Sequence, residues 1–147
     1  MLRTISNNKM GVLLFVFCMF GVQAFANAGL SVIANNQLSL ESLEIRQVRG
    51  IFLAKTNKFP NGVFVKFINQ TEGSPVANEF DKKVLRKTVA QLKSYWMKLV
   101  YTGRARLPGK LASDAEVKKW VAAAVGRIGY IDSASVDNTV KVLAVIP

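Results

Sequence analysis

The stretch "INQTEGSPVANEF", residues 68–80, passes from the end of an apolar segment through a polar turn into a helix. Val76, Phe80 and Val84 recur at helical spacing, and Pro75 stands where the first residue of a helix tolerates proline. Ser74 can therefore cap this helix by accepting a hydrogen bond from a backbone N–H. The change from strand-like to helical periodicity at this turn predicts a mixed α/β fold.

The same turn also has the features of an anion site. A helix start presents unpaired backbone N–H groups and the positive end of its dipole, and the hydroxyl of Ser74 can donate to a phosphate-like oxygen. Glu72 would repel an anion there unless its side chain points away. Two interpretations therefore stay open at this point: a capped helix start, or a cradle formed by Gly73 and Ser74.

The segments before this turn predict a strand, a helix and a second strand. "LSVIA", residues 30–34, is a short apolar run typical of a buried strand. Ser39 is placed to cap a helix, and Gly50 is placed to end it. "VFVKFI", residues 63–68, alternates imperfectly and is predicted as the second strand.

The segments after the turn predict two further helices and two closing strands. Thr88 with Gln91, and Ser113 with Glu116, have the spacing of a capping box at a helix start. "IGYI" and "VKVLAVI" then have the apolar character of strands. This order predicts an α/β domain with a small mixed sheet flanked by helices.

The N-terminal region has the pattern of a secretory signal peptide. Arg3 and Lys9 precede the apolar run "GVLLFVFCMFGV", which ends in the small residues of "AFANAG". We expect residues 1–28 to be this signal, cleaved after Ala28, although cleavage after Ala26 fits nearly as well. A membrane anchor is the alternative, but residues 10–22 are short against the roughly 20 that a spanning helix needs. Residues 29–147 are then one domain in the periplasm, without stable membrane insertion.

Composition argues against an enzyme. The chain has no histidine, which is the commonest general base and a common metal ligand, and its one cysteine lies in the predicted signal. Asp132 and Asp137 have no metal-site pattern beside them, and Ser133 lacks the context of a nucleophile. We therefore expect no catalytic residues, no metal and no cofactor.

The net charge of the chain is +11, and only Arg3 and Lys9 contribute to it from the predicted signal. Such a field attracts phosphate, acidic polymers, lipid head groups or nucleic acid without choosing among them. Trp96 and Trp120 fall at helical spacing, which favours core packing over stacking on bases. With export also predicted, we expect no nucleic-acid partner.

Four ordered motifs add a family resemblance. The segments "VRGIFLAKTNKFPNG", "SPVANEF", "YWMKLVYTGRARLP" and "VGRIGYI" resemble small exported proteins related to the phosphate-binding subunits of ABC uptake systems, in the type II periplasmic binding protein superfamily. The likeness runs from about residue 32 to residue 142. It implies a binding protein for phosphate or another small oxyanion, with an ABC permease or another envelope protein as partner.

The resemblance also implies a site. In the larger relatives, a serine-glycine-threonine turn at a helix start binds phosphate, with an arginine upstream and a hydroxyl in an early loop. Ser74 with Gly73 matches the turn, and Ser39 is the nearest match to the early hydroxyl. Lys55 and Arg104 are basic loop residues that could complete the site.

This sequence departs from the family pattern in two ways. Asn69 or Gln70 stands where the upstream arginine is expected, so the bidentate fork of a guanidinium is missing there. Residues 29–147 also suffice for only a single-lobe or condensed version of a fold that normally closes two lobes over its ligand. The rival prediction is therefore an interaction or sensory module of the cell envelope that has lost or reduced its small-molecule site.

Overall fold

The computed structural model describes residues 29–147. The predicted signal peptide, residues 1–28, lies outside the described residues. None of the helices in the described part combines the length and the apolar character needed to cross a membrane.

Residues 29–147 form six strands and four α-helices. The elements are β1 (Leu30–Ala34), α1 (Ile45–Phe52), β2 (Lys66–Phe67), β3 (Asn69–Gln70), α2 (Pro75–Phe80), α3 (Val89–Tyr101), β4 (Lys110–Leu111), α4 (Asp114–Ala122), β5 (Arg127–Asp132) and β6 (Lys141–Ile146). A π-helical turn, Asp81–Leu85, continues α2, and a 3₁₀ turn, Ser133–Ser135, follows β5.

The central sheet has the strand order β2-β5-β1-β6. β1 is antiparallel to both neighbours, so that Leu30 lies opposite Asp132 on one side and Ile146 on the other, whereas β2 is parallel to β5. A separate parallel pair joins β3 to β4. All five residues of β1 are buried, because a strand covered on both faces has no solvent-facing side.

Helices cover both faces of this sheet, as successive strand residues point to opposite sides. Val32 of β1 belongs to a core that includes Phe52 of α1 and Phe80 of α2. Its neighbour Ile33 belongs to a second core with Val117 of α4. The predicted small mixed sheet flanked by helices is confirmed.

The predicted start of the first helix was wrong. Ser39 does not cap it; α1 begins after Glu44, whose N–H donates to Gln47 Oε1 at 2.8 Å. The segment before it is held against the sheet instead, with the Leu43 N–H donating to Leu143 O at 2.8 Å. This tertiary contact prevails over the local capping signal of Ser39.

The predicted strand over residues 63–68 is only partly present. Lys66–Phe67 pair with β5, and the next pair, Asn69–Gln70, leaves the central sheet and joins β4. The Ile68 N–H still donates to Ile128 O at 3.1 Å, so the chain changes partners directly after this residue. A continuous strand is not formed because two different sheets share this segment.

The predicted N-caps of the other helices are confirmed, but the capping box predicted at α4 does not close, because the Glu116 carboxylate accepts from the Ala112 N–H. Ser74 Oγ accepts from the Ala77 N–H, and Ser113 Oγ accepts from the Glu116 N–H, both at 3.2 Å. At the start of α3 both hydrogen bonds of the capping box form. The Gln91 N–H donates to Thr88 Oγ1 at 3.1 Å, and the Thr88 N–H donates to Gln91 Oε1 at 2.9 Å.

Two apolar residues near the C-terminal ends of these helices are exposed. α4 ends at Ala122, before Val125, which is 47% exposed. Val100, near the end of α3, is 39% exposed. The apolar contact with the core therefore weakens toward the end of α3, whereas in α4 it continues to Val121 and is lost only after the helix ends.

Candidate functional site

The five residues predicted for an anion site do not lie on one surface. Lys55 and Arg104 line the same groove, whereas Gly73, Ser74 and Ser39 do not line it. The structure thus brings together two loop cations that are distant in sequence, and it separates them from both predicted hydroxyl groups.

We call this surface the basic groove. It is an open cleft of about 680 Å³ between the loop after α1, strand β2 and the loop that follows α3. Its four charged residues are all cationic: Lys55, Lys66, Arg104 and Arg106. Because no carboxylate lines it, this cleft concentrates positive potential and attracts anions.

The backbone at the end of α1 fixes the start of the Lys55 loop. The Lys55 N–H donates to Gly50 O at 2.9 Å, and the Ala54 N–H donates to Ile51 O at 3.0 Å. Ala54 has φ of 53°, a left-handed conformation that costs a residue with a Cβ about 1 kcal/mol or more. The main chain is therefore anchored in a strained turn, while the Lys55 side chain is exposed at the groove.

Arg104 reaches the groove through the end of α3. Gly103 adopts φ of 68°, and the Arg104 N–H donates to Leu99 O at 2.9 Å. Such a left-handed residue after a helix turns the chain sharply and satisfies its last carbonyl groups. Among the described residues, neither Arg104 nor Lys55 takes part in an ion pair. Both charges are therefore available to a ligand.

Ser74 acts as the cap of α2, and its turn uses most of the nearby N–H groups. The Ser74 N–H donates to Thr71 O at 3.1 Å, Pro75 has no N–H, and the N–H groups of Ala77 and Asn78 donate to Ser74 Oγ and Ser74 O. Only the Val76 N–H of the first helical residues has no such partner in the described chain. The turn can thus offer an anion one N–H and the Ser74 hydroxyl hydrogen.

Ser39 lies in the exposed segment before α1, away from any helix start. Its carbonyl accepts from Asn61 Nδ2 at 3.0 Å, and its side chain lines neither of the two cavities described in this subsection. The structure therefore does not join the Ser39 hydroxyl to Lys55, Arg104 or Ser74.

A second cavity, which the sequence did not predict, lies on the other side of the loop after α3. It has a volume of about 360 Å³, and we call it the mixed pocket because Glu72, Asp81, Lys93 and Lys110 line it together with an apolar wall. Leu107 and Pro108 line both cavities.

Asp81 is the carboxyl group of the mixed pocket whose pKa is clearly shifted. Burial raises the pKa of its carboxyl group to about 6; Lys110 opposes this shift, and Glu72 adds to it. Asp81 stands in the charged run "DKKVLRK", which is typical of a solvated face. The sequence feature that could have predicted the burial of Asp81 is its position between Phe80 and Val84. Both of these residues are buried, so Asp81 lies beside the buried side of the helix.

Several solved structures have a similar fold. An ABC-type phosphate transport receptor from Vibrio cholerae matches with a TM-score of 0.64 and 17% identity, over 79% of this chain and 45% of that chain. PstS from Borrelia burgdorferi matches with a TM-score of 0.61 and 16% identity, over 80% of this chain and 47% of that chain. The chain has the fold of phosphate-binding receptors of ABC transporters.

A third structure with this phosphate-receptor fold is a candidate substrate-binding protein from Clostridium perfringens with bound phosphate, at a TM-score of 0.61 and 16% identity, over 79% of this chain and 44% of that chain. The chain spans less than half the length of each of these three proteins, and its described residues correspond to one part of their fold. No family model matches the sequence. No curated protein matches it either.

Within this phosphate-receptor fold, Gln70 has a structural role where the resemblance places an arginine. It is buried, and its Nε2 donates to Asp114 Oδ1 at 2.6 Å and to Tyr130 O at 3.1 Å. Both amide hydrogens thus join β3 to α4 and β5. Gln70 therefore does not supply the donor fork for an anion.

Proposed function

We propose that this protein is an exported, single-lobe solute-binding protein that holds phosphate or another small oxyanion in the basic groove. The observation that carries the proposal is the convergence of Lys55, Lys66, Arg104 and Arg106 on one cleft without a carboxylate. The phosphate-receptor fold supports it.

The chemistry of these side chains suits an oxyanion. A guanidinium can donate two parallel hydrogen bonds to two oxygens of phosphate, whereas a lysine supplies a compact positive charge. Arg104 and Arg106 are therefore assigned to orient the ligand, and Lys55 and Lys66 to neutralise it. Phe67 also lines the groove, and its ring would exclude water from one side of the ligand.

The groove is open, and this has a consequence for affinity. Ligand sites in proteins usually bury most of the surface of a small ligand. A single lobe leaves one side of the oxyanion in water, so we expect weaker binding than a closed two-lobed receptor would give. A permease or another envelope protein would supply the missing wall and receive the ligand.

Calorimetric titration of the purified protein with phosphate, and then with sulfate, tests this proposal at moderate and high salt. We expect saturable one-to-one binding that survives high salt, because two guanidinium groups give directional hydrogen bonds as well as charge. Absence of heat, or heat abolished by salt, would leave only a diffuse basic surface.

Two variants locate the site. Arg104→Ala should weaken phosphate binding at least tenfold, the scale of one lost charge-assisted hydrogen-bond pair, whereas Ser74→Ala should leave affinity unchanged. The reverse result would move the site to the α2 turn with Gly73 and Ser74. Circular dichroism of both variants would show that neither change unfolds the protein.

A second candidate function is that of an interaction module in the envelope. Tyr101 is 82% exposed at the end of α3, and Leu107 is 63% exposed in the loop beside the basic groove. Exposed apolar side chains of this size are typical of contact surfaces between proteins. A stoichiometric envelope partner that the double variant Tyr101→Ser, Leu107→Ser fails to hold, with no oxyanion binding, would favour this role.

A further inference from the structure

The mixed pocket has the chemical character of a small-molecule site that is separate from the basic groove. It lies between β3, the helical turns of α2 and its continuation, α3, and the loop of residues 107–110. Its volume of about 360 Å³ falls in the range of ligand cavities in proteins. Apolar side chains line the pocket together with charged groups of both signs and with the polar residues Asn69, Gln70 and Tyr130.

One carboxylate in this pocket lacks a partner. Asp81 is half-buried, and in residues 29–147 its carboxylate accepts no hydrogen bond and forms no ion pair. The other acid, Glu72, is paired with Lys110 at 3.2 Å. A desolvated carboxylate is stabilised when a cation binds beside it, and the raised pKa of Asp81 is the expected sign of this missing partner.

One ammonium group in this pocket also lacks a partner. Lys93 of α3 lines the cavity and, within the described chain, forms no ion pair. The four charges of the pocket sum to zero, since Lys93 and Lys110 balance Glu72 and Asp81. A ligand that carries only positive or only negative charge would attract one of Asp81 and Lys93 and repel the other. A ligand that carries both a positive and a negative charge can pair with both residues.

The apolar wall indicates what joins the two charges of the ligand. Leu92, Trp96 and Met97 of α3 line the pocket beside Lys93, and Met97 is 40% exposed. A flexible thioether next to aliphatic and aromatic side chains adapts to apolar groups of different shape. This wall can bury an aliphatic side chain of a few carbon atoms.

We propose that the mixed pocket binds a free α-amino acid with an apolar side chain. The ligand ammonium pairs with Asp81, its carboxylate pairs with Lys93, and its side chain packs on Trp96 and Met97. This site does not depend on the basic groove, so it can be tested whether or not the protein binds phosphate.

Calorimetric titration of the purified protein with L-leucine and L-methionine at neutral pH is the direct test. We expect saturable one-to-one binding by both. N-acetyl-leucine lacks the ammonium charge and leucinamide lacks the carboxylate, so each should bind at least tenfold more weakly than leucine. Equal binding of leucine and leucinamide would overturn the role of Lys93, and no saturable binding of either amino acid would overturn the proposal.

Asp81→Asn tests the ammonium contact, and Asp137→Asn is the matched control because Asp137 pairs with Lys118 and does not line the pocket. We expect the first variant to weaken leucine binding at least tenfold and the second to change it less than twofold. Unchanged affinity in Asp81→Asn would contradict the assignment. Phosphate titration of the same variant should match the unmodified protein, which separates this site from the proposed oxyanion site.

Discussion

The rings of Phe80 and Tyr130 stack with their centroids 3.8 Å apart and their planes only 4° from parallel. This contact joins the end of α2 to the middle of β5. The hydroxyl of Tyr130 also accepts from the buried Gln70 N–H at 3.1 Å, which ties β3 to the same point. Three elements that line the mixed pocket, α2, β3 and β5, thus meet at Tyr130. Burial raises the pKa of its phenol well above the usual range.

Tyr130→Phe should reduce the free energy of unfolding by about 1–3 kcal/mol, because the Gln70 N–H would remain buried without an acceptor while the ring stack is kept. Urea unfolding followed by fluorescence measures this. Tyr101→Phe is the control, since Tyr101 is 82% exposed and should show no change. Equal stability of both variants would mean that the phenol hydrogen bond contributes nothing.

Gly126 and Gly62 form a matched pair with almost the same backbone, φ of 89° and 86°. A Cβ at Gly126 would lie 2.5 Å from Phe64 O, whereas at Gly62 it would meet nothing within 4 Å. Gly62→Ala should cost about 1 kcal/mol for the left-handed conformation alone, and Gly126→Ala should cost at least about 2 kcal/mol more. Thermal unfolding of both variants tests this difference, which similar losses of stability would contradict.

Asp81 should make stability depend on pH in the direction opposite to an ordinary paired carboxylate. Its pKa rises from 3.8 to about 6 in the folded protein, so its contribution is fully present below pH 3.8 and is lost as pH rises through about 6. Asp81→Asn should therefore stabilise the protein at pH 7, by about 1 kcal/mol after allowance for solvent screening, and change little below pH 4.

Unfolding temperatures of the unmodified protein and of Asp81→Asn between pH 3.5 and 7.5 measure this effect, and the same measurement on Asp137→Asn extends down to pH 2. Asp137 provides a control of opposite sign, because its hydrogen bonds with Lys118 and Thr139 lower its pKa to about 2. Its contribution is present above pH 3.8 and is lost as pH falls through about 2. A stability gain of Asp81→Asn that persists at pH 3.5 would show that the charge of Asp81 is not the cause.

The double variant Lys55→Ala, Arg104→Ala should abolish measurable phosphate binding if the basic groove is the site. The two cations come from different loops, so their removal leaves the packing of the core intact and stability within about 0.5 kcal/mol. Lys82→Ala, Lys119→Ala removes the same charge from exposed helical positions outside the groove and is the control. Equal weakening by both double variants would indicate a general charge effect.

Capping residues in the sequence predicted a helix start correctly where the capping side chain itself makes the hydrogen bond. The side chains of Ser74, Thr88 and Ser113 each accept from a backbone N–H three residues later, as their spacing indicated. Ser39 was also predicted to cap a helix, but no helix begins directly after it. Its segment is held by tertiary contacts, in which Lys141 Nζ donates to Leu38 O at 2.9 Å from a strand at the other end of the chain.

The candidate sites were also predictable only in part, because they too depend on tertiary contacts. Lys55 and Arg104 were identified as basic loop residues, but their meeting in one groove depends on the path of the loop after α3. Asp81 belongs to a run of charges that indicates a solvated face, and only the packing of α3 against that turn encloses it.

The sequence by itself determined the α/β class, the positions of three helix starts and the apolar strands β1, β5 and β6, because capping and hydrophobic periodicity act between residues close in the chain. Tertiary structure decided the partners of the segment between Lys66 and Gln70, the burial of Asp81 and the convergence of the groove cations. These features depend on contacts between residues tens of positions apart. A local sequence pattern does not indicate which of these contacts form or how much they stabilise the fold.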